Sequence, residues 1–391
     1  MVLHQTLNVV NFFKGLSENM LELFLKRKGL ELDIETLKSA NGQQYWEDSV
    51  DEDKRNECRL DCGEIAALSS ENGLIFIAEA IEFSSLSKEK KEAVEQSIEE
   101  FETFQDKAVW MYVNHKELLD RAGKFCFIDE IRDTAWKRRK GFDVRKPSTD
   151  SDSLEFFSRC LADHFHKKLK KGRHCVTEFI KRADTYLYFA HQEDTAVREN
   201  QFNKDQMAPV TRKPEYLLVF AFSPQKGMLE IWGERLGRSV TNLYSIFAKT
   251  LLNLEKLPPE SADGNYDLQK VMTQRLQFTL TRAPTLRSLS LTEIQLVNRE
   301  DSRRYISIKS VRNEDALYEE FDERVPREIR SQYLVNALRF TAVFDSPKIN
   351  GRSKRFSLKS PNECTLGLDN DAEELKKVLS DSGLEFKKGD V

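Results

Sequence analysis

Thiols and imidazoles crowd one stretch of the chain, CLADHFHKKLKKGRHC, residues 160–175. Three of the six histidines (His164, His166, His174) and two of the six cysteines (Cys160, Cys175) lie within it. Zinc takes about four thiolate or imidazole ligands in a tetrahedral array. On a helix, Cys160 and His164 are one turn apart and point the same way. His166 lies about 160° around the axis from His164 and drops out of any shared site. His174 and Cys175 follow Gly172 and can fold back, but neighbours on a strand face opposite ways, so only one of them would ligate. Cys160, His164, His174 and Cys175 are therefore the metal candidates, with zinc as the ion. The competing reading is a half-buried thiol and imidazole on a helix flank. No cofactor is otherwise implied.

The lysines in the same stretch suggest different chemistry. Lys167, Lys168, Lys170 and Lys171 crowd the end of the expected helix, with Arg173 just beyond, and there they complement the negative helix terminus. They also lie close in sequence to Lys137, Arg138, Arg139, Lys140, Arg145 and Lys146. Two such clusters on one face would make a footprint for a phosphate backbone. Trp136, Phe142, Tyr186 and Tyr188 would either stack bases or pack a core. Arg235 and Arg238, in IWGERLGRSV, stand where a strand turns into a helix, a place that favours anions. That segment is no nucleotide-hydrolysing loop: three residues rather than four separate its glycines, and Arg238 takes the lysine position.

Other constellations are weaker. Cys58 and Cys62 are one helical turn apart and suit a buried pair as well as a metal. Glu374-Leu-Lys376 and Glu385-Phe-Lys387 have the Glu-x-Lys spacing of metal-dependent nucleases, in a chain whose charge makes such pairs common. His191, Glu193 and Asp194 end a strand, where with Asp184 they would make an acid–base or metal group. No GxSxG elbow is present. Near the C-terminus, Arg339, Arg352, Lys354, Arg355 and Lys359 interleave with Phe340 and Phe356. Alternation would turn the aromatics inward and the charges outward as a basic ribbon, either a second nucleic-acid surface or a protected sheet edge.

Charge is segregated along the 391 residues although the net charge is only −4. Residues 1–110 carry 12 basic and 23 acidic side chains, and residues 132–182 carry 15 basic and 7 acidic. An anion surface is therefore expected in the middle of the chain, and a protein partner at the acidic helical N-terminal region. No run approaches the ~18 apolar residues of a membrane span. The start lacks the pattern of a secretion signal, and the cysteines are few and irregular, which together point to the cytoplasm.

Periodicity supplies the elements. A helix is expected over LSENMLELFLKRKG, capped by Ser17 and stopped by Gly29. A second is expected through CRLDCGEIAALSSENG, closed by Asn72-Gly73, and a single long one from Ser87 through SKEKKEAVEQSIEEFETFQDKAVWMYV. Leu154, Phe157, Leu161, Phe165 and Leu169 form the apolar stripe of a middle helix ended by Gly172. TYLYFA, YLLVFAF and MLEIW read as strands, and a helix follows from Ser239. SLSLTEIQLV with RRYISIKSV, and LRFTAVF with KRFSLKS, read as hairpins, with a last helix over residues 371–380. The expected architecture is α+β: an acidic helical domain (1–125), a basic mixed α/β domain (126–257) and a strand-rich C-terminal domain (265–391) ending in a helix. The function read from this is an intracellular nucleic-acid-associated binding or adaptor protein. Its rivals are a metal-dependent hydrolase or nuclease using the His/Cys/acidic cluster, and a protein-interaction scaffold without nucleic acid.

Overall fold

The computed structural model describes residues 7–131, 136–142, 144–203, 206–234, 236, 240–259, 266–281, 283–301, 303–310, 314–345, 352–360, 363–366 and 370–385. Its class is α+β, with helices first, then helices mixed with strands, then a strand-rich region and a final helix. The chain forms two compact units. One comprises residues up to Glu130 with Lys181–Ala183, and the other comprises Ile131–Ile180 and Asp184 onward. No described helix is long and apolar enough to cross a membrane.

The first unit is built from α1 (Val9–Lys14), α2 (Glu18–Lys28), α3 (Ile34–Lys38), α4 (Gly42–Ser49), α5 (Glu52–Ala67), α6 (Glu71–Glu82), α7 (Lys88–Glu99), α8 (Phe104–Asn114) and α9 (Lys116–Glu130). Ser17 caps α2 by accepting from the Met20 amide, and Gly29 stops it at φ +67°, as residue type dictates. Two helix boundaries differ from the periodic reading. Gly73 begins α6 instead of ending α5, because Ser70 accepts from its amide as an N-cap. The long helix from Ser87 breaks before Phe104, where Thr103 caps a new one by accepting from the Asp106 amide. Phe13 packs against Phe24 and Trp46, and Phe24 against Tyr112. Cys58 and Cys62 are wholly buried on α5, and burial pushes the Cys58 thiol up to about 11. They serve as small apolar side chains.

The second unit contains β1 (Trp136–Lys140), α10 (Ser151–Leu169), β2 (Cys175–Arg182) up to Ile180, β3 (Thr185–Glu193), β4 (Val197–Asn203), β5 (Gln206–Arg212), β6 (Glu215–Ser223), β7 (Met228–Gly233) and α11 (Val240–Leu251). It continues with β8 (Leu286–Asn298), β9 (Tyr305–Lys309), α12 (Glu314–Arg324), β10 (Tyr333–Phe344), β11 (Arg352–Lys359), β12 (Glu363–Cys364) and α13 (Asn370–Asp381). Among the described residues, one ten-stranded sheet runs in the order β2-β3-β6-β7-β1-β12-β11-β10-β8-β9, and β4 pairs only with β5. The first strand of the unit thus joins the two halves, pairing with β7 on one side and β12 on the other.

The sheet changes its covered face at β1. Residues directly opposite in an antiparallel pair share a face. Lys137 and Arg139 therefore lie with Ile231 and Leu229, over which α10 and α11 build one core around Phe157, Phe165, Phe220 and Phe247. Trp136 lies with Cys364, on the face where α12 and α13 build a second core around Phe321, Phe340, Leu375 and Leu379. The first face is consequently left polar over β8–β11, where Glu293, Lys309, Arg339, Thr341, Arg355 and Ser357 follow from the register.

Candidate nucleic-acid interface

Asp150 accepts from the Ser153 amide to start α10. Phe157, Leu161 and Phe165 are buried from its apolar stripe, whereas Leu169 is 44% exposed. The stripe stops short because the helix ends three residues before Gly172. Lys170 takes the left-handed cap at φ 58°, its amide donating to the His166 carbonyl, and the Lys171 amide donates to that of Phe165. The sequence signal was Gly172, but its missing Cβ serves another purpose. A Cβ there would sit 2.3 Å from the Glu193 side chain. That carboxylate is pinned, with Oε2 accepting from the amides of Arg173 (3.2 Å) and His174 (3.3 Å) and Oε1 paired with Lys213 (2.6 Å). The Lys213 ammonium accordingly holds Glu193 below the usual carboxylate range.

Residues 171–174 therefore dock along the end of β3, at the foot of the β4–β5 hairpin. The Gly172 amide donates to the Glu193 carbonyl, and the Glu193 amide to that of His174. Lys171 Nζ meets Asp194 Oδ1 at 2.5 Å and lies 3.7 Å from the Tyr216 ring centroid. Burial opposes the Asp194 charge, but Lys171 outweighs it and the carboxyl sits below its ordinary value. Imidazole His166 bridges the segment: Nδ1 contacts the Lys171 carbonyl at 3.0 Å, and Nε2 accepts from Arg173 Nε at 3.1 Å. Those partners favour the neutral Nδ1–H tautomer.

Around this foot the cations face water. Lys167, Lys168, Lys170 and Arg173 are exposed. Lys167 has a loose pair with Asp163 at 3.5 Å, and Lys168, Lys170 and Arg173 have no carboxylate within ion-pair distance among the described residues. The β1 cluster has the opposite fate. Lys137 pairs with Glu363 and is partly buried. Arg138 is 5% exposed, donating to Tyr266 Oη (2.7 Å) and Glu385 Oε1 (3.0 Å). Lys140 also reaches Glu385 (3.1 Å), and Arg139 donates to the Pro258 carbonyl while lying over the Tyr244 ring. Arg145 is exposed and donates to the Leu252 carbonyl; Lys146 is exposed without a partner among the described residues. The stacking candidates Trp136 and Tyr188 are wholly buried in the core. Arg235 and Arg238 lie outside the described residues.

The metal candidates do not converge. Among the described residues no group of three or more His, Cys, Asp or Glu side chains is placed to hold an ion. Cys160 is half-buried on α10, and burial, reinforced by Lys168, lowers the His164 pKa. Cys175 turns inward toward Thr177 and Ser158, and burial pushes its thiol up to about 12. His174 points outward, 4.0 Å from Glu193, as strand alternation requires. All six cysteines are free thiols. His191 joins neither Asp194 nor Asp184. It contacts Glu215 at 2.7 Å and Glu178 at 3.4 Å, while Asp184 accepts from Gln225. Glu385 is engaged by Arg138 and Lys140, and Lys376 faces Glu230.

A second cationic surface lies on the open face of β8–β11. Phe340 and Phe356 stack inward at 5.0 Å, while Arg339, Arg355 and Lys309 are exposed on the other face. Lys354 departs from the expected ribbon: it shares a face with Phe356 and is buried. β11 is interior to the sheet, so its charges protect no edge. Glu293 is buried beneath Arg339 (2.9 Å) and Lys309 (3.6 Å), and Arg355 has no partner among the described residues.

The feature that sequence reasoning missed is the β4–β5 hairpin itself. VRENQFN and QMAPVTR carry no Asn-Gly or Gly-rich turn between them, and Pro209 inside a run argues against a strand. In a two-stranded ribbon, one side of each strand is unpaired, and a proline is tolerated there. No family model matches this sequence and no curated protein matches it, so the geometry alone carries the functional reading.

Proposed function

We propose that the protein is an intracellular nucleic-acid-associated binding or adaptor protein that grips phosphates electrostatically, and that the gripping cations are those at the end of α10 and not those of β1. The observation that supports this reading is the solvent exposure of Lys167, Lys168, Lys170 and Arg173 around the hairpin foot, three of them without a carboxylate partner among the described residues. A helix C-terminus favours cations for its own stability. Four cationic heads left in water also offer charges that a phosphate backbone can pair with. Arg339, Lys309 and Arg355 on the open sheet face offer a second contact region of the same sign. The acidic helical unit is the surface proposed for a protein partner.

Binding of this kind releases counterions, so affinity falls steeply with salt. Fluorescence anisotropy with a mixed-sequence DNA duplex, from about 50 to 200 mM salt, tests the reading. The wild-type chain is expected to bind at the low end. Combined Lys168→Glu, Lys170→Glu and Arg173→Glu is expected to weaken binding and to flatten the log–log salt slope by about 0.9 for each phosphate no longer neutralised. Absence of wild-type binding to DNA or RNA at low salt refutes the proposal.

A further inference from the structure

We propose that the β4–β5 ribbon is an arm that enters the major groove of a B-form DNA duplex, with the cations at its foot holding the phosphates on the groove's rim. This rests on the nucleic-acid reading above and adds which nucleic acid is bound and through which element. The ribbon pairs with no other strand among the described residues, and both its faces stand in water along most of its length. An isolated two-stranded hairpin is marginal in water, so this one depends on its clamped base: Gly172 to Glu193, Lys171 to Asp194 and Lys213 to Glu193. At the far end Phe202 and Met207 are a cross-strand pair, 75% and 59% exposed. Two large apolar side chains held side by side in water at the tip of an arm mark a contact surface.

The composition of the two ribbon faces selects the partner. Cross-strand register puts Arg198, Asn200, Phe202, Met207, Pro209 and Thr211 on one face. That face holds a cation, an amide, a hydroxyl and apolar groups, and no carboxylate. These are the side chains that read base edges: arginine pairs with guanine O6 and N7, asparagine with adenine N6 and N7, and apolar groups meet the thymine methyl. Glu199 lies on the other face, engaged by Arg212 at 3.8 Å. Strands of seven residues span roughly 20 Å, and two of them side by side fit the ~12 Å major groove but not the ~6 Å minor groove. The major groove of A-form RNA is too narrow and deep for side chains to read, and a single strand has no groove.

The experiment compares a 30-base-pair DNA duplex, the RNA duplex of the same sequence and one DNA strand, for wild type and three variants, with thermal melts establishing that each is folded. The variants are Arg198→Ala with Asn200→Ala, Phe202→Ala with Met207→Ala, and the charge reversal at Lys168, Lys170 and Arg173. Each ribbon variant is expected to lose about tenfold or more in affinity for duplex DNA and to leave the weaker single-strand binding unchanged. Wild type is expected to shield guanine N7 from dimethyl sulfate, and the ribbon variants to lose that shielding. Duplex binding that the foot reversal abolishes and the ribbon variants leave intact overturns the arm while sparing the phosphate grip. Protection confined to adenine N3, or preference for RNA or single strands, overturns it too. So does a ribbon variant that changes only self-association in light scattering, which makes a second copy of the chain the occupant. Failure of wild type to bind any of the three removes the phosphate grip itself, and the arm with it.

Discussion

Two runs of cations, near in sequence and alike in composition, end in opposite environments. WKRRK becomes β1, interior to a ten-stranded sheet, where alternation sends Lys137 and Arg139 to one face and Arg138 and Lys140 to the other. All four are engaged, by Glu363, Glu385, Tyr266, the Pro258 carbonyl and the Tyr244 ring. KKLKKGR ends an amphipathic helix, and its cationic heads other than Lys171 project around the turn into water. β1 has partners on both faces and offers little to solvent, unlike interior strands β10 and β11 with their open face, whereas a helix end faces little else. The density of lysine and arginine in a sequence therefore says nothing of availability until the element carrying it is known. Here the run that looks more concentrated is the structural one.

Three measurements bear on that contrast. Arg138→Leu leaves buried Glu230 and half-buried Glu385 beside β1 without the guanidinium, and is expected to cost about 3–5 kcal/mol in urea denaturation, typical for breaking a buried pair from one side. A loss below about 1 kcal/mol would place the stability of β1 in its backbone pairing instead. Acid probes the same network. Burial opposes the Glu385 charge, but Arg138 and Lys140 outweigh it and hold its pKa below the ordinary 4.5. A carboxylate so depressed contributes stability that is present above that value and is lost as pH falls through the folded-state pKa. Unfolding midpoints are therefore expected to drop at acidic pH, and less so in Glu385→Gln; an equal drop in both locates the acid sensitivity elsewhere. The smallest effect belongs to Lys168→Glu, expected within about ±0.5 kcal/mol of wild type by thermal melting. A larger loss would make that lysine structural like those of β1.

The sequence made the local elements legible where one signal dominated. Ser17 and Gly29 delimit α2 because caps act within a turn, and YLLVFAF is a strand buried on both faces because a continuous apolar run suits one. Phe340 and Phe356 turned inward as alternation requires. Long-range pairing was not legible. Nothing in WKRRK announces that its partners are MLEIW and a two-residue strand near the far end, so its burial could not be read from its polarity. Lys354 was misplaced for a different reason: two residues before Phe356, it shares that side chain's face by alternation alone and goes inward with it. Of the site, the α10 cations were visible as composition, the convergence of Cys160, His164, His174 and Cys175 did not materialise, and the ribbon was hidden by Pro209 and by the lack of glycine between its two strands.

The place of β1 between β7 and β12 also fixes an order of events during synthesis. Lys137 precedes its partner Glu363 by 226 residues. While the polypeptide is being made, that strand waits with an unsatisfied border, first on both flanks and, once β7 has emerged, on one. A waiting border of this sort is a template for the wrong neighbour, and pairings so distant along the chain form late and slowly. The arrival of β12 is thus the step that seals the sheet, and a nascent chain stalled before it carries the greatest hazard of mispairing.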